Sequence, residues 1–358
     1  MIAKKLFHSS LATIALLISH AAATAPLDHQ ALSGAIERAQ DMPRLHSLLV
    51  SQGDELVVER YFNGKRAGDS ANVKSVSKSI MSALIGLAIS QGHIEGLDQP
   101  IESFYPTLKE SGDPRRRAIT VGNLLSMQAG LETTSFYNYG KWVLSDDWVR
   151  FALEQPLRSE PGTRLVYSTG NTHLLSAILT SATGSSTLSF ARRFLASPLG
   201  FELPAWPRDP NGIYFGGNNM LLTPRQMLAF GQLYLNGGLV GDRQVLPRSW
   251  VEQSFAPLVE SPREAGRYYG YGWWIKSMAG FQTPYAWGYG GQFILLVPEL
   301  DVVVVTTSNS EPGAGRRDHI RGLYRLLEEH IVKPAAAAII RPPFAPQAAA
   351  LPTTGHTG

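Results

Sequence analysis

The chain contains no cysteine in 358 residues. That absence excludes disulfides, thiolate metal sites, iron–sulfur clusters and a cysteine nucleophile together. Charge of one sign is not in marked excess either: 32 Lys and Arg stand against 29 Asp and Glu, a net charge of +3. The densest basic cluster, Arg115, Arg116 and Arg117, reads as a solvated loop, so no nucleic-acid partner is expected. Charged residues make up 17% and hydrophobic residues 44%, a globular balance that rules out wholesale disorder or a coiled coil. Familiar motifs are missing too. There is no Gly-x-Ser-x-Gly elbow, no His-Glu-x-x-His, no Walker loop and no Gly-x-Gly-x-x-Gly, and the nine histidines fall at no metal-ligand spacing. Ordinary α/β-hydrolases, zincins and nucleotide enzymes are therefore disfavoured, and neither a metal nor a cofactor is expected.

The two ends differ from the middle. Lys4 and Lys5 precede an apolar run at 11–18 and then Ala21, Ala22, Ala23, Thr24 and Ala25. This is the order of a secretory signal peptide, assigned to 1–25, with cleavage after Ala23 or Ala25. The run is too short for a hydrocarbon core of ~30 Å. The expectation is a periplasmic or secreted protein with no stable membrane anchor. One domain is assigned to 26–333. The segment 334–358, rich in Ala and Pro and without periodicity, reads as a disordered tail.

Within the domain, extended stretches at 45–51 and 55–62 flank Gln52-Gly53-Asp54 and predict an antiparallel hairpin. Strand patterns return only at 268–275, 292–297 and 301–308, followed by a helical stretch at 316–331 with Ile320, Leu323, Leu326, Leu327 and Ile331 on one face. Between them, 75–90, 121–127, 146–154, 172–180, 189–195 and 224–235 read as helices separated by loops rich in Gly and Pro. Strands from both ends can share one sheet only if the chain leaves and returns. The expected class is α+β: an antiparallel sheet from both chain ends, flanked by helices, with a mostly helical lobe at about 95–235 inserted.

The chemistry starts at Ser75-Val76-Ser77-Lys78. Residues three apart on a helix are neighbours, so the Lys78 amine can reach the Ser75 hydroxyl. A serine is a weak nucleophile until a base takes its proton, and a desolvated lysine can be that base. Ile80, Met81, Ala83, Leu84, Ile85, Leu87, Ala88 and Ile89 make the helix apolar nearly all round, so it is buried, and Gly92 stops it.

Further along stands Pro161-Gly162-Thr163-Arg164-Leu165-Val166-Tyr167-Ser168-Thr169. With the Ser-x-x-Lys, this resembles the serine β-lactamase superfamily, specifically its class C-like branch of β-lactamases, D-alanyl-D-alanine peptidases, esterases and 6-aminohexanoate-dimer hydrolase. Ile119-Thr120-Val121, Leu222-Thr223-Pro224, and Tyr269-Gly270-Tyr271-Gly272-Trp273-Trp274 extend the likeness, which covers about 45–332 in the family's order. It implies a β-lactamase/transpeptidase-like fold. It implies that Ser75 is the acylated nucleophile, Lys78 its proton acceptor and Tyr167 a second acid/base, with Lys78 the candidate to pull down the Tyr167 pKa. Ala286-Trp287-Gly288 falls on the family's Lys-Thr-Gly positions, which implies that the backbone N–H groups of Ser75 and Tyr289 form an oxyanion hole. Thr169, Trp287, Gly288, Asn219 and Tyr137 are candidate substrate-binding residues. Asn218, Phe136, Tyr139 and Trp142 are further candidates for the cleft lining. The glycines of 288–291 are expected to let a substrate backbone approach the strand.

Two departures shape the functional expectation. Ala286 replaces a cation that helps hold a substrate carboxylate, and Thr169 replaces an amide-binding asparagine. The expected activity is a secreted serine hydrolase acting on a small ester, amide or peptide. A carboxylesterase or linear-amide hydrolase is favoured over an efficient β-lactamase. The alternatives are an acyltransferase on the same scaffold, a D-amino-acid peptidase or β-lactamase, and a non-catalytic peptidoglycan-binding protein.

Overall fold

The computed structural model describes residue 27 and residues 30–340. The segment 1–25, expected to be a signal peptide, and the part of the expected tail beyond 340 lie outside the described residues. The hairpin forms as its turn predicts, from β1 (Leu45–Gln52) and β2 (Glu55–Tyr61). The C-terminal part supplies β3 (Val259–Glu260), β4 (Arg267–Tyr269), β5 (Trp274–Met278), β6 (Phe281–Gly288), β7 (Gln292–Val297) and β8 (Val302–Ser308). They join in one eight-stranded sheet ordered β2-β1-β8-β7-β6-β5-β4-β3, every neighbour antiparallel. The two ends of the chain meet at β1 and β8, where Val50 lies opposite Val304.

The four valines of β8 explain its central place. Val302 and Val304 enter a core built with α1 (Ser33–Gln40) on one face, and Val303 and Val305 enter the core of the other face. A strand covered on both sides has no polar alternation to show. The second face carries α2 (Ser77–Ser90), α3 (Thr169–Thr183) and α4 (Pro224–Leu235); the first also carries α5 (Arg316–Leu327).

Four expectations are corrected. The stretch 268–275 is two strands, β4 and β5, broken by a tight turn at Gly270 to Trp273 in which Gly272 has φ +81°. β6 was not among the expected strands; its Pro284 falls where β6 pairs with β5 alone and so costs no ladder bond on the β7 side. The tail does not begin at Pro334: a helix spans Lys333–Ile340, with the proline in its first turn and Ala335 fully buried against the α5 face. Finally α4, assigned to the end of the inserted lobe, lies on the sheet. Gly231 makes this possible, since a Cβ there would come within 2.6 Å of Val303 Cγ1.

Candidate active site

Ser75 sits not in α2 but in the 3₁₀ turn Lys74–Val76 that opens it. Lys74 has φ +50°, an unfavourable conformation for a side chain with a Cβ. Two side chains hold it there: the Lys74 N–H donates to Asn72 Oδ1 at 3.0 Å, and Ser77 Oγ donates to Lys74 O at 2.6 Å. In this first turn the Ser75 N–H has no helical acceptor to claim it.

Lys78 follows on the buried face of α2, 1% exposed. Its Nζ donates to Ser75 Oγ at 3.1 Å, to Thr169 Oγ1 at 3.3 Å and to Gly217 O at 2.7 Å. Every ammonium hydrogen thus has an acceptor, yet burial lowers the pKa to about 7. Gly216 and Gly217 allow the third contact. A Cβ on Gly216 would meet Thr172 O at 2.0 Å, and one on Gly217 would meet Thr172 Oγ1 at 2.2 Å, so both pack directly on the first turn of α3.

Tyr167 approaches from the extended segment ahead of α3. Lys78 Nζ lies 5.1 Å from its ring centroid, and Ser75 is near enough to its hydroxyl to act on its pKa. Burial raises the phenol pKa to about 12, against the opposing influence of Ser75 and of Arg267. Lys78 was expected to pull this pKa down; Arg267 is the cation that lowers it. At neutral pH the phenol is a proton donor.

The residues that place Tyr167 were not picked out from sequence. Thr133 Oγ1 donates to Tyr167 O at 2.7 Å, the Thr134 N–H donates to Ser168 Oγ at 3.0 Å, the Thr169 N–H donates to Ser135 Oγ at 2.9 Å, and the Gly170 N–H donates to Thr134 Oγ1 at 2.7 Å. The Ser135 and Thr134 hydroxyls accept from two N–H donors that the start of α3 leaves open. The run Thr133-Thr134-Ser135 was the available signal.

β6 runs alongside the Ser75 turn. Gly288 ends it, and a Cβ there would fall 2.2 Å from Val73 O. Tyr289 is the next residue in the chain. The glycines expected to admit substrate are therefore filled by the protein itself: Gly288 by Val73, Gly290 by Ser310 and Gly291 by Leu323 and Ser308.

Beside Tyr167 opens a cavity of about 420 Å³, walled by Leu165, Trp274, Trp287, Ile320, Tyr324 and Arg267 among others. Of the expected lining residues, Tyr137 and Phe136 stand at its edge, 70% and 53% exposed, and Trp287 forms part of its wall. The others are elsewhere. Thr169 is buried, its hydroxyl between Lys78 and Ser135, so it holds the lysine rather than a substrate. Asn219 Oδ1 accepts from Asn72 Nδ2 at 2.9 Å, bracing the segment before Ser75. Asn218 Nδ2 donates to Tyr139 OH at 2.9 Å, and Trp142 is buried among Trp148, His173 and Phe215.

Fold and site together define a serine hydrolase. The chain belongs to the Beta-lactamase family, whose sequence profile matches residues 29–329. It is 25% identical over 292 residues to the 6-aminohexanoate-dimer hydrolase of Paenarthrobacter ureafaciens, covering 74% of this chain and 72% of that protein. Two solved structures share the fold. EstCE1, a hydrolase with promiscuous acyltransferase activity, has a TM-score of 0.67 at 18% identity, over 82% of this chain and 98% of that one. A D-stereospecific amidohydrolase from Streptomyces sp. has a TM-score of 0.63 at 18% identity, over 84% and 97%.

Proposed function

We propose that this protein hydrolyses an ester or a linear amide through an acyl intermediate on Ser75. The observation that carries the reading is Lys78: a buried amine 3.1 Å from a serine hydroxyl, with a pKa near 7, is neutral often enough at neutral pH to take the proton. Ser75 Oγ attacks the carbonyl carbon as its proton passes to Nζ. The N–H groups of Ser75 and Tyr289 receive the oxyanion, each worth ~2.7–4 kcal/mol in the transition state. Collapse expels the alcohol or amine, which takes the Tyr167 proton; the Lys78 ammonium restores it. Water then gives its proton to the same pair, frees the acid and returns Ser75.

The departures at 286 and 169 support linear substrates over β-lactams. Ala286 is 1% exposed in the sheet, so no cation stands at that position, and the Thr169 hydroxyl is already engaged. A mainly apolar cavity suits an aliphatic or aromatic group. The same cavity favours acyl transfer to an alcohol or amine as the second reading, since apolar walls disfavour water as the acceptor. The expected partner is a small molecule. Export is proposed on the signal-like order of the first 25 residues, and N-terminal sequencing of the mature protein tests it.

The test is one panel of short-chain nitrophenyl esters, linear amides, D-peptides and a chromogenic β-lactam on one preparation, with and without an acceptor alcohol. Ester and linear-amide turnover, slow or absent β-lactam cleavage and loss of all of it in Ser75→Ala are expected. Turnover that survives Ser75→Ala contradicts the reading.

A further inference from the structure

We propose that Gln292 is a positioning residue for the hydrolysis: its side chain, backed by Ser308 and His319, fixes the turn Tyr289 to Gly291 that supplies the second oxyanion donor. The inference rests on the acyl-enzyme reading above, in which the Tyr289 N–H receives the oxyanion. Gln292, Ser308 and His319 take no part in the proton transfers themselves.

The turn lies where the sheet releases the chain. The ladder between β7 and β8 ends at the pair Phe293 and Thr306. Gln292 pairs with Gly288 of β6, and the three residues between them belong to neither strand. The ladder does not reach Ser308, whose main chain is paired by the Gln292 carboxamide instead. The Ser308 N–H donates to Gln292 Oε1 at 3.1 Å, and Gln292 Nε2 donates to Ser308 O at 2.8 Å. A carboxamide carries donor and acceptor side by side, as a peptide unit does. It therefore stands in for a strand residue, and the turn can leave the sheet without orphaning buried main-chain groups of β8. The same Nε2 reaches back to Tyr289 O at 3.5 Å.

The other end of the turn is held from behind. Gly291 O accepts from Thr306 Oγ1 at 3.0 Å and from Ser308 Oγ at 3.1 Å. That uses the one hydrogen of the Ser308 hydroxyl, so His319 Nε2, 2.9 Å from the same oxygen, is the donor in their contact. Burial, with Arg44 and His46 nearby, lowers the His319 pKa to about 4, and the ring is neutral at pH 7. Gln292 and Thr306 are fully buried, and Ser308 and His319 nearly so. Gly290 and Gly291, at φ +90° and +110°, leave the turn itself soft. An oxyanion donor is effective only when it is in place before charge develops. The buried side-chain network supplies the rigidity that the glycines do not.

The test measures kcat and KM of the full chain on a short-chain nitrophenyl ester. Gln292→Met keeps length and volume and removes both hydrogen bonds to Ser308. Its kcat is expected to fall about 10²-fold, the order of one displaced donor, with KM changed by less than about threefold. The pH limb near 7 is expected to stay, because Lys78 is untouched. A kcat within about threefold of wild type in folded Gln292→Met overturns the proposal, as does a loss carried by KM alone or a shifted limb. Should that variant not fold, His319→Phe and His319→Gln are compared. Phe removes the donor to Ser308 and is expected to lower kcat by about tenfold, whereas Gln offers an N–H at a similar reach and is expected to recover most of it. Equal kcat values in the two overturn the proposal. A failed nucleophile shows instead as turnover that survives Ser75→Ala, so the two failures are read from different variants.

Discussion

Lys78 is asked to be two things at once, a well-bonded ammonium and a base. Its three acceptors favour the charged form, and its burial favours the neutral one by more, leaving the pKa at about 7. The pH profile follows. kcat/KM should rise through a limb near pH 7 as Lys78 loses its proton, and the ascending limb should vanish in Lys78→Met, with a loss of roughly 10²–10⁴-fold. Stability follows with the opposite residue in mind. The folded pKa lies below the ordinary lysine value of 10.5, so the cost of burying the charge is full below pH 7, shrinks as pH rises from there, and is gone above 10.5. The Tm of Lys78→Met relative to wild type should therefore be more favourable at pH 6 than at pH 10; the reverse order in a calorimetric scan would show that Lys78 is not buried as a strained cation. Tyr167→Phe keeps the ring against Trp274 and removes only the donor. It should lose about 10²–10⁴-fold in turnover, most for substrates with poor leaving groups. At this scale the Ser75 and Lys78 pair was legible because helical spacing alone brings them together. The hydroxyls of Thr133, Thr134 and Ser135 and the guanidinium of Arg267 were not. The partners of the three hydroxyls lie tens of residues away in sequence, and Arg267 acts on Tyr167 from a distant strand, so only tertiary packing brings these groups together.

Elements position these groups mainly through missing side chains. β6 reaches the Ser75 turn because Gly288 lets Val73 O approach where a Cβ would sit at 2.2 Å. Gly288→Ala should push the strand end away from the nucleophile and lower turnover by about 10²-fold, as expected for a displacement of around an ångström, while circular dichroism stays that of the wild type. Activity close to wild type in that variant would remove β6 from the oxyanion account. The turn at Gly270 to Trp273 shows the same device, since a Cβ on Gly272 would meet Lys78 O at 2.9 Å and Ser82 Cβ at 2.8 Å. These glycines were visible in the sequence, but their use was not. The pattern suggests a flexible turn open to a substrate, whereas the space is taken by the chain itself. β6 also contains Pro284, a residue that argues against a central strand until the pairing shows that β7 is joined only from Tyr285 on.

At the scale of the molecule, the sheet that joins both chain ends is what carries the site, and its outline was readable. The hairpin turn, the valine run of β8 and the helical middle each specify a type of element, and antiparallel closure is the arrangement that uses them all. The division between lobe and sheet was less readable, because α4 looks like any amphipathic helix until Gly231 is found against Val303. Gly231→Ala should destabilise the protein by about 1–3 kcal/mol through overpacking, measured by urea unfolding, with activity per folded molecule retained. The family match agrees with this architecture over residues 29–329. The central claim remains chemical: one serine, activated by one buried lysine, is acylated. Its most direct measurement is mass mapping of the intact protein after a brief, acid-quenched reaction with a nitrophenyl ester. The account predicts a single acyl adduct on the peptide carrying Ser75, absent from Ser75→Ala and strongly reduced in Lys78→Met. An adduct on another residue, or one that forms equally well without Lys78, would contradict it.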